Sequence, residues 1–261
     1  RQITILFEMI NFNKRPVVIA GPCSAESREQ VMSTALALKS TANYFRAGLW
    51  KPRTRPNEFE GVGEKGLPWL REVKETVGLP VMTEVANTEH VDLVLKNDID
   101  AVWIGARTTV SPFAVQSIAD ALRGTTIPVF VKNPIHADLK LWIGAVERIE
   151  SATKGDVIAL HRGFSSYGLK KYRNAPMWEI PIGLRSEMPE IKLFCDPSHI
   201  SGKRDLIQSV AQKAMDLGMD GLMIESHINP QVALSDAKQQ LTPKDLISLM
   251  TSLKIRDLNL D

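Results

Sequence analysis

The sequence predicts an α/β fold, a (β/α)8 TIM barrel with a short N-terminal extension, on three observations. Eight short runs rich in Val, Ile and Leu recur along the chain: VVIAG (17–21), YFRAGLW (44–50), PVMTEV (80–85), AVWIGA (101–106), PVFVKN (128–133), VIALHRG (157–163), KLFCDPS (192–198) and GLMIES (221–226). Most are apolar throughout instead of alternating, as expected for parallel strands buried on both faces. Their starts fall about 20–36 residues apart, the length of a βα unit, and eight such units close a barrel. The competing arrangement is an open doubly wound sheet, but no G-x-G-x-x-G follows an early strand.

The intervening segments supply the helices. REQVMSTALALKSTA follows the first run, EHVDLVLKND the third, SPFAVQSIADALRG the fourth and RDLIQSVAQKAMDLG the seventh. Each carries apolar residues at the helical period, and several finish at Gly, which ends helices readily. KPRTRPNEFEGVGEKG after the second run and GFSSYGLKKYRNAPMWEIPIGLRSEMP after the sixth are long for βα connections, and long loops on one face of a barrel are commonly functional. The opening ITILFEMINF reads as a weakly strand-like lead-in that closes the barrel bottom or joins an interface. The domain reading is a lead-in over 1–15, a catalytic barrel over 16–250, and a C-terminal tail or truncated linker over 251–261.

Composition narrows the class. The chain has 261 residues, 44% hydrophobic and 24% charged, enough for a large core. A net charge of +2 gives no global bias toward nucleic acid or membrane. No apolar run approaches the roughly 20 residues of a membrane span, and the first ten residues are too short and too mixed for a signal peptide. Cys23 and Cys195 are too few for a disulfide framework, which suits a cytoplasmic protein. The absent initial Met and the polar ending KIRDLNLD suit a fragment of a longer protein.

In a barrel the carboxyl ends of all strands form one mouth, where active sites lie. Here those ends read GPCSAES, LWKPRT, TEV, GARTT, VKNP, HRG, CDPSH and IESH, each polar or charged. Six cations, Arg46, Lys51, Arg53, Arg107, Lys132 and Arg162, lie in or just after strand-like runs. Converging on one face they repel one another unless an anion binds, so the expected ligand carries several phosphate or carboxylate groups. The plainer reading pairs Arg107 and Lys132 with Glu84 or Asp196 inside the barrel. A lysine of lowered pKa, Lys51 or Lys132, would alternatively serve a Schiff-base aldolase. Cys23, His199, Glu225 and Asp236 form a mixed donor set suited to a borderline divalent ion. Each has a plainer reading too: Cys23 as core, His199 as a helix cap, Glu225 paired with a strand-end Arg. His136, His161 and His227 are expected to satisfy local hydrogen bonds, and Trp50, Trp103 and Trp142 to pack. Cys195 is expected in the core, within possible reach of Cys23 on oxidation.

Taken together, GPCSAES (21–27), KPRTRP (51–56), IGARTT (104–109), VKNP (131–134), HRG (161–163), CDPSH (195–199) and IESH (224–227) resemble 3-deoxy-D-arabino-heptulosonate 7-phosphate (DAHP) synthase. The likeness runs in family order from about residue 12 to about residue 245 and is closest to the type I beta subgroup. It implies condensation of phosphoenolpyruvate with erythrose 4-phosphate and water, the first step of the shikimate pathway. It implies a divalent metal ion, manganese first and iron, cobalt or zinc as alternatives, on Cys23, His199, Glu225 and Asp236. It places phosphoenolpyruvate on Arg46, Lys51, Arg107, Lys132 and Arg162, and erythrose 4-phosphate on Arg53 and Thr54. Lys51 and Glu84 become the candidate catalytic residues, Glu84 positioning water. Arg55 departs from the family pattern, in which a small residue is common. The related 3-deoxy-D-manno-octulosonate 8-phosphate synthases carry Lys-Ala-Asn-Arg where this chain has Lys51-Pro52-Arg53-Thr54, which favours the four-carbon aldose. The resemblance also implies a homo-oligomer, no nucleic-acid or membrane partner, and, from the tail, a chorismate mutase domain fused in the full-length protein. A non-catalytic barrel serving a partner domain is the remaining alternative.

Overall fold

The computed structural model describes Asn11 and residues 14–255. Eight parallel strands close in chain order into one barrel: β1 (Val17–Gly21), β2 (Tyr44–Arg46), β3 (Val81–Val85), β4 (Ala101–Ile104), β5 (Val129–Lys132), β6 (Val157–His161), β7 (Lys192–Cys195) and β8 (Gly221–Glu225). β8 pairs with β1, so the ladder has no edge strand to protect. The helices pack outside: α1 (Arg28–Leu38), α2 (Leu67–Glu72), α3 (Thr88–Lys96), α4 (Ala106–Thr109), α5 (Pro112–Ala121), α6 (Leu139–Glu150), α7 (Glu179–Glu187), α8 (Pro197–Ser201), α9 (Ile207–Asp216) and α10 (Pro243–Ser252). Side chains of Ser27, Asn87, Ser111, Asp138 and Thr242 accept a backbone N–H of the first turn of α1, α3, α5, α6 and α10. Each satisfies one of the donors a helix start leaves unpaired.

Strand residues alternate between two apolar layers. Val17, Ile19, Tyr44, Met82, Trp103, Phe130, Ile158, Leu160, Phe194 and Met223 fill the barrel interior. Their neighbours, including Val18, Phe45, Val102, Val131, Ala159, Leu193 and Ile224, pack against the helices. Because successive side chains point to opposite faces, the residue two places beyond an inner apolar one returns to the barrel axis. That residue is Arg46 after Tyr44, Glu84 after Met82, Lys132 after Phe130, Arg162 after Leu160, Asp196 after Phe194 and Glu225 after Met223. The strands therefore end in an inner ring of charge stacked on an apolar plug, and all six side chains are buried.

Strand ends come earlier than the apolar runs suggest. β2 stops at Arg46 instead of reaching Trp50; beyond it only a bridge of Gly48 to Ser24 remains. A Cβ on Gly48 would stand 2.7 Å from the Cys23 carbonyl oxygen, so the close approach of the two segments needs glycine. β4 stops at Ile104 because Gly105 starts α4. The long second connection forms a 3-10 turn at Gly63–Gly66 that leads into α2. The long sixth connection contains α7. The lead-in ITILFEMINF, apart from Asn11, and residues 256–261 lie outside the described residues. No helix among the described residues is long and apolar enough to cross a membrane.

Candidate active site

The first part of the site is a cluster at the carboxyl ends of β1, β7 and β8. Ligand-type atoms of Cys23, Glu225 and Asp236 all lie within 4.8 Å of one another. His199, on α8, brings Nε2 to 3.5 Å from Glu225 Oε1 and 3.7 Å from Asp236 Oδ2. Asp196 orients this imidazole. It caps α8 by accepting from the His199 N–H at 3.0 Å, and its other oxygen lies 2.7 Å from His199 Nδ1. With Nδ1–H given to a carboxylate, Nε2 keeps its lone pair for an ion. Burial lowers the His199 pKa against the pull of Asp196 and Glu225.

Glu225 and Asp236 are held from behind. Gln239 Nε2 donates to Glu225 Oε2 at 2.7 Å, and Arg173 Nη1 lies 3.0 Å from Asp236 Oδ1. Although burial opposes it, Arg173, with His199 and Lys51, holds the Asp236 carboxyl well below the usual carboxylate range. Asp236 also has φ +48°, the left-handed region that non-glycine residues seldom occupy and that clusters at functional sites. Glu225 Oε1 is wholly buried and has no hydrogen-bond donor among the described residues. Arg46 Nη1 at 3.8 Å and His199 Nε2 at 3.5 Å approach this oxygen without a hydrogen bond, which leaves it open to an ion, and thiol, imidazole and two carboxylates are a fitting donor set for one. Burial pushes the Cys23 thiol up to about 12, with Glu225 and Asp236 adding and Lys51 opposing. Lys51 Nζ lies 3.1 Å from Cys23 Sγ.

The second part is a cavity of about 260 Å³ above the ring of charge. Lys51, Arg53, Arg55, Arg107, Lys132, Arg162 and Arg173 line it, against the carboxylates of Glu58, Glu84 and Asp236. That excess of cations in a small volume draws anions. Several are already partnered. Lys132 Nζ bonds Asp196 Oδ2 at 3.0 Å, Arg53 Nε bonds Glu58 Oε2 at 2.9 Å, and Arg107 Nη2 donates to Thr54 Oγ1 at 3.0 Å. Arg162 Nη1 donates to Asn174 Oδ1 at 2.8 Å, and burial pulls its guanidinium pKa down to about 10. Glu84 Oε2 accepts from Trp103 Nε1 at 3.1 Å. A Cβ on Gly105 would come within 2.2 Å of Glu84 Oε1, so glycine there makes room for the carboxylate.

The expected internal pairing holds for Lys132, which bonds Asp196 and still faces the cavity, and not for Arg107, whose bond goes to Thr54. Arg46 differs from its fellows. It lies beneath the cavity, its Nη2 donating to the Cys23 carbonyl at 2.9 Å and its guanidinium 4.4 Å from the Trp103 ring centre. It also approaches Glu225 Oε1 at 3.8 Å. Despite burial and nearby Arg46, Cys23, Glu84 and Glu225 keep the Lys51 pKa above the ordinary lysine value. That is the reverse of what a Schiff-base lysine needs.

His227 bonds Glu26 and the Asn229 N–H as a structural residue does, and His136 is exposed outside the cavity. His161 is the exception to local pairing: its ring sits among Trp142, Phe164 and Trp178, and neither nitrogen makes a well-formed hydrogen bond, although the Pro176 carbonyl acts on it. Trp142 packs as expected, whereas Trp103 also orients Glu84 and underlies Arg46. Cys195 is buried in the outer apolar layer, and both cysteines are free. Residues that sequence reasoning passed over are Arg173, Asn174 and Gln239. The first two lie in the long sixth connection, flagged by its length, but nothing in their local pattern separates Arg173 from nearby Lys170 and Lys171.

The chain matches the DAHP synthetase I family over residues 7–258. Among curated relatives, a phospho-2-dehydro-3-deoxyheptonate aldolase of Thermotoga maritima is 34% identical over 225 residues, covering 86% of this chain and 64% of the relative. The chain thus spans a little under two thirds of that relative's length. A 2-dehydro-3-deoxyphosphooctonate aldolase of Helicobacter pylori is 30% identical over 273 residues, covering 94% of this chain and 96% of the relative. Among solved structures, a DAHP synthase from Thermotoga maritima superposes with a TM-score of 0.80 at 32% identity, covering 90% of this chain and 67% of that one. A truncated form of the Thermotoga maritima enzyme gives a TM-score of 0.77 at 28% identity, covering 90% of this chain and 84% of that one.

Proposed function

The chain belongs to the DAHP synthetase I family, and we propose that it condenses phosphoenolpyruvate with erythrose 4-phosphate and water to give DAHP and phosphate. The observation that carries the reading is the juxtaposition of the Cys23, Glu225 and Asp236 cluster, with His199 beside it, and a cavity in which seven cations outnumber three carboxylates.

Cys23, His199, Glu225 and Asp236 would hold a divalent ion, manganese in the first instance, with iron, cobalt or zinc as alternatives. When bound, the ion supplies Lewis-acid polarisation of the aldose carbonyl. Lys51, Arg107, Lys132 and Arg162, with Arg46 supporting from beneath, hold phosphoenolpyruvate. Arg53 and Thr54 hold the aldose phosphate. These cations offset repulsion between two anionic substrates and align the enol carbon with the carbonyl. As the carbon–carbon bond forms, Lys51 gives a proton to the new alkoxide. Glu84, fixed by Trp103, positions the water that adds at C2 of the phosphoenolpyruvate unit. Collapse of the resulting hemiketal phosphate breaks its C–O bond and releases phosphate.

The octulosonate relatives favour a rival aldose, arabinose 5-phosphate. Pro52, Arg53 and Thr54, where that branch carries Ala-Asn-Arg, support the four-carbon substrate instead. A competition experiment tests the choice: phosphoenolpyruvate with equal erythrose 4-phosphate and arabinose 5-phosphate, products resolved by mass spectrometry. The proposal requires the seven-carbon sugar acid to dominate; a dominant eight-carbon product reassigns the chain. We extend the proposal to a cytoplasmic homo-oligomer. Exposed Ile228 and Ile247, beside one apolar groove, would supply contact surface, and sedimentation tests it. A fused chorismate mutase is tested by the full-length gene product.

A further inference from the structure

One dipeptide in the connection between β6 and α7 touches both halves of the site. Arg173 Nη1 lies 3.0 Å from Asp236 Oδ1 and donates to Gln239 Oε1 at 2.7 Å. Gln239 in turn holds Glu225. Asn174 uses both ends of its amide. Its Oδ1 accepts from Arg162 Nη1 at 2.8 Å, and its Nδ2 donates to the His199 carbonyl at 2.7 Å. Three of the four candidate metal ligands, and one cavity arginine, are thus tied to two consecutive residues.

The backbone fixes the dipeptide independently of those side chains. The N–H groups of Arg173 and Asn174 both donate to the Ile200 carbonyl, at 3.0 and 3.2 Å. Ala175, next in the chain, exchanges two hydrogen bonds with Phe164 as an isolated antiparallel bridge. Two glycines with positive φ clear the space. A Cβ on Gly202 (φ +69°) would stand 2.4 Å from Arg173 Cβ, and one on Gly163 (φ +77°) 2.9 Å from Asn174 Cβ. Asn174 and Arg162 are both buried, so the Arg162–Asn174–His199 path has little freedom to slip.

We propose that Arg173 and Asn174 are positioning residues: Arg173 supports the ion site, and Asn174 is the brace through which anion binding at Arg162 and ion binding at Cys23, His199, Glu225 and Asp236 strengthen each other. The inference rests on the metal-dependent reading above and goes beyond it by naming the link between the two half-sites. Arg173 fixes Asp236 through Oδ1, leaving Oδ2 toward Cys23 and His199. Asn174 transmits the position of Arg162 to the backbone of His199. Linkage makes the effect reciprocal: whatever factor phosphoenolpyruvate adds to ion affinity, the ion adds to phosphoenolpyruvate affinity.

The test measures Mn2+ dissociation constants by calorimetry on the intact chain, with and without saturating phosphoenolpyruvate. The wild type should bind Mn2+ several-fold more tightly with phosphoenolpyruvate present. Asn174→Ala should shrink that ratio about threefold or more. Asn174→Asp keeps an oxygen for Arg162 but loses the donor to His199, and should shrink it too; it serves if the alanine variant folds poorly. Arg173→Gln should weaken Mn2+ binding about tenfold with or without phosphoenolpyruvate, as loss of an outer support to a ligand does. A wild-type ratio of one, or a ratio unchanged in both Asn174 variants while Mn2+ and phosphoenolpyruvate still bind, overturns this inference alone. No Mn2+ binding by the wild type overturns the metal assignment and this inference with it.

Discussion

Cys23 stands under two opposing influences. Burial keeps its thiol protonated, with a pKa pushed up to about 12, while Lys51 Nζ at 3.1 Å favours the thiolate. An ion bound there must displace that proton, so ion affinity should rise with pH by up to about tenfold per unit around neutrality. His199 adds no second released proton, because burial lowers its pKa and leaves it neutral there. Calorimetry in buffers of different ionisation enthalpy counts the released proton; Cys23→Ser should lose it, and an unchanged count would remove Cys23 from the ligand set. Cys23→Ala should abolish metal-dependent turnover while leaving the thermal midpoint near wild type. Full activity of that variant without added metal would contradict the assignment. Arg53 is partly accessible and, among the described residues, ion-pairs with exposed Glu58, so it can exchange that partner for a phosphate. Arg53→Ala should raise the KM for erythrose 4-phosphate about ten- to a hundredfold, the loss of one or two charge-assisted hydrogen bonds. A rise confined to the KM for phosphoenolpyruvate would show that the two phosphate positions are transposed.

β6 shows how one strand serves two faces with different physics. Arg162, just past its end, turns to the cavity, while His161 turns outward among Trp142 of α6, Phe164 and Trp178. Burial depresses the His161 pKa to about 3, only partly offset by the Pro176 carbonyl. The unfolded chain titrates near 6.5. Between these values the unfolded state binds the proton and the folded state does not, so stability falls as pH falls. Above pH 6.5 both states are neutral and His161 adds no pH dependence. From pH 6.5 to 5 the folded protein should lose roughly 2 kcal/mol through this residue. Denaturant unfolding of His161→Phe should show a correspondingly flatter acid limb; an equally steep limb would mean the imidazole is solvated or paired. At this scale the sequence was legible where periodicity speaks: all eight strands and the four helices quoted from it appear. It was less legible at strand ends. The apolar runs continue past β2 and β4, but Gly48 and Gly105 mark where the chain leaves the ladder for reasons set by neighbours far along the sequence, Cys23 and Glu84.

For the whole molecule, a period of two is what assembles the site. Strands that look uniformly apolar in sequence still alternate in space, and the inner face of six of the eight ends in a charge. That is why Arg46, Glu84, Lys132, Arg162 and Glu225 could be picked out from strand ends alone. Their division of labour could not. Arg46 lies beneath the cavity, in register with Met82 and not with Glu84, and Asp196 is shared between Lys132 and His199, which only the closed ring reveals. Arg173 and Asn174 reach the site from a loop, where no periodicity constrains position. On the proposed reading, this ring of charge and the adjoining cluster form one metal-dependent synthase. The most direct test mixes the purified chain with phosphoenolpyruvate, erythrose 4-phosphate and Mn2+, follows the loss of phosphoenolpyruvate absorbance, then adds a chelator and restores the ion. Consumption should stop on chelation and resume when Mn2+ is returned. Consumption that continues at full rate under chelation, or none with the ion and both substrates present, would contradict that reading.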